Sequence, residues 1–250
     1  MFARFFRSRH LSIYFALAIL CGLVAGCSSS IFLYLLYWVT DLRQQHTELI
    51  WGLPPAGFLI GWFFYRWGQK VLAGSRLVVA RISAPQSESA SLEPLPLRMA
   101  PLILFGTLLT HLVGGSAGRE GTAVQMAASL CDQIIFRVER SWVRWFSRGE
   151  LFSFEEGRRV LLLAGVGAGF GAAVGAPVAG VVYGLEIAGL TLSRQSQNGA
   201  QLNFAPWSFL QIFSLSAVAS FAAWVVTELL QAPHSLFWDS SQKSVYGSLF

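Results

Sequence analysis

The chain has few charged residues and few cysteines. Charged residues make up 12% of its 250 residues, against roughly 25% in soluble globular domains. Its three cysteines, Cys21, Cys27 and Cys131, lie in apolar stretches without a C-x-x-C spacing, and an odd number cannot complete a disulfide framework. These deficits exclude a disulfide-rich secreted scaffold and argue against a soluble domain. The cysteines are interpreted as reduced packing residues.

The chain is rich in apolar residues. They account for 54% of the chain, with a mean hydropathy of +0.53, 24 glycines and 9 tryptophans. A membrane span needs about 20 apolar residues, and five runs contain no Asp, Glu, Lys or Arg. The composition therefore predicts an all-α membrane protein, a polytopic helix bundle of five to seven helices in one domain over 1–250. The runs are 11–40, 49–65, 99–118, 160–185 and 204–227.

Two features predict broken or short helices. Gly175-Ala176-Pro177 interrupts the fourth run, and the apolar segment 121–131 is too short to span a bilayer unaided. Non-helical backbone at membrane depth persists only where protein or a polar cavity surrounds it. The interruptions therefore indicate a path for a polar substrate.

Basic residues indicate how the chain is oriented. Arg4, Arg7 and Arg9 precede the first run, which predicts a cytoplasmic N-terminus. The same rule makes 82–97 a polar cytoplasmic loop, and 137–159 is expected to be a charged interhelical loop. The net charge of +5 is spread over such connectors, so the expected partner is the lipid bilayer and not nucleic acid.

Two other interpretations are weighed and disfavoured. Cys27 follows Val24-Ala25-Gly26 as in a lipoprotein cleavage site, yet the apolar run continues beyond it. The segment 167–172 fits a degenerate dinucleotide fingerprint, which requires a βαβ unit that the pattern lacks. Glycines four residues apart are interpreted instead as helix-packing positions. They are Gly22 and Gly26, Gly57 and Gly61, Gly167, Gly171 and Gly175, and Gly180 and Gly184.

The chemically informative segment is 114–125, which reads GGSAGREGTAVQ. A glycine-rich turn there leads into a helix, whose N-terminus has unpaired N–H groups and a partial positive charge that together favour an anion. Glu120 would compete with that anion when charged and leave when protonated, which would couple the anion to a proton. The residues alone leave equally open that Glu120 pairs with Arg119 at an interface.

Two ordered motifs give the chain a family resemblance. Gly118-Arg119-Glu120-Gly121 with Val124-Gln125, followed by Gly175-Ala176-Pro177-Val178-Ala179-Gly180 and Glu186, resembles the CLC family of chloride channels and anion/proton exchangers. Thr122, where chloride-type members usually have proline, and the segment 96–101 (PLRMAP) make it similar to the bacterial fluoride/proton antiporter branch. The resemblance implies a transporter of a halide anion and protons, not an enzyme, without cofactor or metal.

The resemblance also implies site residues. Glu120 would be the gating and proton-transferring glutamate, and backbone groups of Gly118, Arg119, Gly121 and Thr122 would line the anion path. Ser75, in Gly74-Ser75-Arg76, would be a hydroxyl donor to the anion, although Arg76 stands where chloride members have glycine. Glu186 is the candidate for a proton relay, with a structural role favoured.

The resemblance covers only the first half of the CLC inverted repeat. The later Gly-x-Phe-x-Pro loop is not found, and 204–206 (FAP) imitates it only in part. Alternatives to an active exchanger are therefore a truncated, non-conducting half-transporter or accessory subunit, and a passive chloride channel. The family's homodimer is the expected assembly. His111 and Trp207 are interpreted as packing residues.

Overall fold

The computed structural model describes residues 8–83, 93–145, 154–197 and 206–234. Within these ranges all regular structure is helical, which confirms the predicted all-α class. Two short 3-10 helices, Thr47–Gly52 and Gln69–Val71, precede the second and third α-helices. The eight α-helices of the described ranges are α1 Ser8–Gln45, α2 Leu53–Trp67, α3 Ser75–Ser83, α4 Met99–Leu112, α5 Arg119–Trp145, α6 Phe154–Val174, α7 Pro177–Gln197 and α8 Pro206–Leu229.

Long and short helices occur together, as the broken apolar runs predict. Three helical stretches are long and apolar enough to cross a membrane: Ser12–Gln45, Gly157–Val174 and Phe209–Leu229. The apolar helix α4 has 14 residues and rises only about 21 Å, less than the ~30 Å hydrocarbon core. The described ranges hold more helices than expected partly because α3, with two arginines in nine residues, contains no apolar run.

α6 lies at the centre of the bundle, packed against α1, α5, α7 and α8. All of its residues from 157 to 169 are buried. Close packing depends on glycine, because a Cβ atom at Gly165 would lie 2.8 Å from Cys131 Sγ, and one at Gly169 would lie 2.5 Å from Ala127 Cβ. These distances are too short for any side chain, so the glycines let α5 approach α6.

Most of the predicted glycine contacts are present. A Cβ at Gly167 would lie 2.5 Å from Gly180 O, where α6 meets α7, and one at Gly26 would lie 2.7 Å from Ala223 O, where α1 meets α8. Gly57 and Gly61 on α2 are different, since a Cβ there would meet no atom within 4 Å. The packing prediction is therefore wrong for this pair among the described residues.

The structure also decides between the interpretations of the apolar segments. Residues 167–172 lie inside α6, without the strand and turn that a dinucleotide fingerprint needs, so that alternative is wrong. α1 runs unbroken through Cys27 to Gln45, as a spanning helix does. Cys21 and Cys131 are buried free thiols, with Cys131 Sγ 3.5 Å from Cys21 O, whereas the free thiol of Cys27 is exposed.

The predicted interruption at Gly175 is a helix hairpin. α6 ends at Val174, Gly175 has φ of +77°, and α7 begins at Pro177. The Ala176 N–H donates to Gly171 O over 3.0 Å, which closes the end of α6. Glycine suits this position because a residue with a Cβ is strained at positive φ.

Two predicted boundaries differ from the structure. The helix expected over 121–131 continues to Trp145, and α6 already begins at Phe154. Residues 137–145 and 154–159 of the predicted loop 137–159 are therefore helical, and 146–153 lie outside the described residues. The reason is that charges on the facing sides of α5 and α6 pair with each other. Of the predicted loop 82–97, residues 82 and 83 end α3, 84–92 lie outside the described residues, and 93–98 form a non-helical connector.

Candidate functional site

The chain turns sharply between α4 and α5. Gly114 has φ of +85° and donates its N–H to His111 O over 3.1 Å, while the Gly115 N–H donates to Thr110 O over 2.8 Å. This pair of bonds is a Schellman cap, which ends a helix with a residue in the left-handed region. The cap ends α4 and sends residues 116–118 toward the start of α5.

The first turn of α5 leaves backbone donors beside open space. The Thr122 N–H donates to Gly118 O over 3.3 Å and closes the first helical turn. The N–H groups of the three preceding residues, 119–121, therefore have no acceptor within the helix. A Cβ at Gly118 would meet no atom within 4 Å, so a small anion has room to approach these donors.

Glu120 stands in this first turn with an exposed side chain. A carboxylate there interacts favourably with the helix dipole and competes with any anion that uses the same amides. Arg119 is half-buried. None of the ion pairs found among the described residues joins Glu120 to Arg119 within the chain, and their pairing at an interface stays a prediction.

Thr122 fastens the start of α5 to α4. Its hydroxyl, 4% exposed, lies 2.8 Å from Thr107 Oγ1 and donates to Gly118 O over 3.0 Å. Its N–H is used in the first helical turn. Both polar groups therefore already have partners within the protein, so Thr122 leaves the predicted set of anion donors.

The structure brings Ser75 to α5, although 50 positions separate it from its partner. Gln125 Nε2 donates to Ser75 Oγ over 2.9 Å. Gly74, with φ of +51°, allows the approach, since a Cβ there would lie 3.3 Å from Gln125 Oε1. The two predicted motif segments therefore meet at the first residues of α3 and the second turn of α5.

Gln125 is the residue of this site that sequence reasoning did not assign. It lies one helical turn after Gly121, and a Cβ at Gly121 would come 3.9 Å from its Nε2. That i, i+4 spacing places both residues on one side of α5. The spacing was the available signal, but the partner on α3 is not visible in a linear sequence.

Comparison with known proteins shows the family to which the chain belongs. The family model described as voltage gated chloride channel matches residues 56–246. The chain belongs to this family. A chloride/fluoride channel protein of Pseudomonas syringae pv. tomato is 41% identical over 174 residues, which are 69% of this chain and 34% of that protein.

A solved structure is also similar. The crystal structure of a CLC-type fluoride/proton antiporter matches with a TM-score of 0.68 and 27% identity, over 89% of this chain and 48% of that one. The chain therefore spans about a third of the curated relative (34%) and about half of the solved structure (48%). This partial coverage fits the prediction that the chain corresponds to the N-terminal half of a CLC subunit.

Glu186 lies on α7, a helix that contacts α3 in this voltage-gated chloride channel family member. It is exposed on α7, nine residues after Pro177, which is about 14 Å along the helix. Near it on α7, Tyr183 stacks on Phe170 with ring centroids 4.4 Å apart.

The sequence also predicts that His111 and Trp207 are packing residues and that the chain holds no metal. His111 Nδ1 lies 2.9 Å from Thr107 O, as expected for a packing residue, while the side chain of Trp207 lies outside the described residues. Over the ranges that the structure describes, no three His, Cys, Asp or Glu side chains are grouped as metal ligands would be.

Proposed function

We propose that the chain moves a small halide anion across a membrane in exchange with protons, and that Glu120 is the gating and proton-transferring residue. The observation that carries this proposal is the exposed carboxylate of Glu120 in the first turn of α5, at a helix N-terminus and beside the open space at Gly118. Such a site binds an anion without a full positive charge.

A shared site couples the two ions. When Glu120 is charged, its carboxylate takes the amides at 119–121, and an arriving anion must displace it. The displaced carboxylate is then the group that takes up and transfers the proton. Each anion that enters thus favours the uptake of a proton, which is the basis of exchange.

Ser75 is the second proposed anion donor. It lies at the start of α3 and is joined to α5 by Gln125, so two helix N-termini lie close to the same place. Glu186 is the candidate for a proton relay, since it is the other carboxylate of the matched motifs. The anion is fluoride or chloride, as the names of the relatives indicate.

A second candidate is a half-transporter that inserts but conducts only with a partner. It is favoured by coverage of 34% and 48% of the two relatives' lengths. Inverted-repeat transporters build one site from both halves, so a second copy or a separate second half would complete it. We place the chain in a bacterial plasma membrane with its N-terminus in the cytoplasm, as a homodimer.

The proposal is tested by ion flux from liposomes that contain the purified chain. Fluoride and chloride electrodes and a pH electrode would follow both ions for the wild type, Glu120→Gln and Glu228→Gln. We expect proton-linked anion flux from the wild type and from Glu228→Gln, a matched control because Glu228 is exposed at the end of α8. Glu120→Gln should keep part of the anion flux and lose the proton flux.

The outcomes separate the candidates. Proton coupling that persists in Glu120→Gln would contradict the role of Glu120. If correctly inserted wild type moves neither anion, the half-transporter is favoured and the active exchanger is rejected for this chain alone.

A further inference from the structure

A buried carboxylate in the middle of α5 contacts three other elements of the protein. Asp132 is 0% exposed, and it follows Arg119 by thirteen residues, about 20 Å along the helix. Its Oδ1 accepts from Arg158 Nε of α6 over 2.8 Å, and its Oδ2 accepts from the Leu95 N–H over 2.8 Å. Oδ2 is also 3.5 Å from Arg81 Nε of α3.

The neighbours of Asp132 on α5 hold the same connector. Ser129 Oγ donates to Pro96 O over 2.8 Å, and Gln133 Nε2 donates to Leu95 O over 2.8 Å. This connector, 93–98, leads directly into α4 at Met99. The start of α4 is therefore attached to α5 here, and the second half of α4 is attached through Thr107 and Thr122.

α3 is also attached to α5 at two points. Ser75 meets Gln125 at one point, and Arg81 meets Asp132 at the other. The two contacts are six residues apart on α3 and seven apart on α5, so the helices run in the same direction with their N-termini at the same end. If the Arg81 contact were lost, the Ser75 hydrogen bond would be the one that remains of these two contacts between α3 and α5.

Asp132 is the central counter-charge of this cluster. Arg81 and Arg158 are each 8% exposed, and Arg81 Nε, Arg81 Nη2 and Arg158 Nη2 are buried without a hydrogen-bond acceptor. Glu139 Oε2 is more distant, 4.0 Å from Arg158 Nη1. A neutral side chain at position 132 would leave two buried guanidinium groups poorly compensated, and the helices that carry them would shift.

We propose that Asp132 is a positioning residue for the anion site. By holding α3 and the connector before α4 against α5, it sets the distance between Ser75 and the N–H donors at 119–121, although it lies far from the anion. This inference rests on the proposed function. It assigns to a buried ionic cluster the control of anion affinity, because small displacements of binding groups cost large factors in binding.

The test measures anion binding separately from transport. The melting temperature of the purified full chain is recorded against fluoride and chloride concentration at constant ionic strength, which yields an apparent Kd. The variants are Asp132→Asn, Arg81→Gln and Glu139→Gln. The last is the matched control, since Glu139 lies at the edge of the cluster, 4.0 Å from Arg158 Nη1, whereas the Leu95 N–H of the connector donates to Asp132.

We expect the apparent Kd to rise about tenfold in Asp132→Asn and in Arg81→Gln, and to stay within about twofold of the wild type in Glu139→Gln. In flux measurements the KM should rise with the Kd, while the number of protons moved per anion stays unchanged, because Glu120 is intact. Arg81→Gln keeps the Arg158 and Leu95 contacts, so it tests the inference even if Asp132→Asn does not fold.

A wild-type Kd in both Asp132→Asn and Arg81→Gln, with lower melting temperatures, would show that the cluster only stabilises the fold, and would overturn the inference. A wild-type protein that neither anion stabilises would instead contradict the proposed function, and this inference with it. Anion binding by the wild type distinguishes the two failures: it is present when only the inference on Asp132 fails and absent when the proposed function fails.

Discussion

The first turn and the middle of α5 each carry a carboxylate, in opposite surroundings. Glu120 is exposed beside open space, whereas Asp132, twelve residues later, is 0% exposed, with both oxygens engaged by α6, the 93–98 connector and α3. A carboxylate with no fixed partner is able to move and exchange a proton, while one with several buried partners is held in place. One helix thus carries both the proposed gating carboxylate and the carboxylate proposed to position the anion site.

The largest expected effect comes from removing the buried carboxylate. Asp132→Ala should lower the free energy of unfolding by about 3–5 kcal/mol, because it leaves buried cations without their partner. Thermal unfolding in detergent would measure the loss. Asp41→Ala is the control, since Asp41 is exposed and accepts a hydrogen bond from Gln45, and we expect it to change stability by less than about 0.5 kcal/mol. Equal effects of the two variants would contradict the distinction between buried and exposed carboxylates.

The next effect concerns two glycines beside α5. Gly169→Ala should cost about 1–3 kcal/mol by overpacking, because its Cβ would lie 2.5 Å from Ala127 Cβ. Gly118→Ala should cost no more than about 1 kcal/mol but reduce anion flux, since its methyl group enters the open space next to the donors. The larger loss of stability is thus expected in Gly169→Ala and the loss of flux at little cost in stability in Gly118→Ala. Unfolding and flux measured on both variants check this contrast. A loss of flux in proportion to stability for both would contradict it.

The smallest expected effect on stability is at Ser75. Ser75→Ala removes the acceptor for Gln125 Nε2, which should cost about 1 kcal/mol or less, yet the KM for the anion should rise because a proposed donor is lost. Ser141→Ala, on the exposed side of α5, should change neither quantity. An unaltered KM in Ser75→Ala would remove Ser75 from the proposed site.

Several parts of the fold follow from local sequence. Charge-free runs predict helices, and Gly175-Ala176-Pro177 predicts the break between α6 and α7. α3 is not predicted because its two arginines leave no apolar run long enough to indicate a helix. α5 is predicted too short for a related reason: the charges beyond Cys131 indicate solvent when read alone, but Asp132 pairs with Arg158 inside the bundle.

The candidate site divides in the same way. The glycine turn and the position of Glu120 at a helix N-terminus depend on residues within a few positions of each other, so the sequence predicts them. The sequence by itself thus determined the helical membrane class, the broken helices and the turn that presents Glu120, because backbone conformation and apolar runs are local properties. Only the tertiary structure decided that Gln125 meets Ser75 and that Asp132 meets Leu95, partners 50 and 37 positions apart. Such contacts depend on how whole helices pack, and glycines at the interfaces of α6 control that packing.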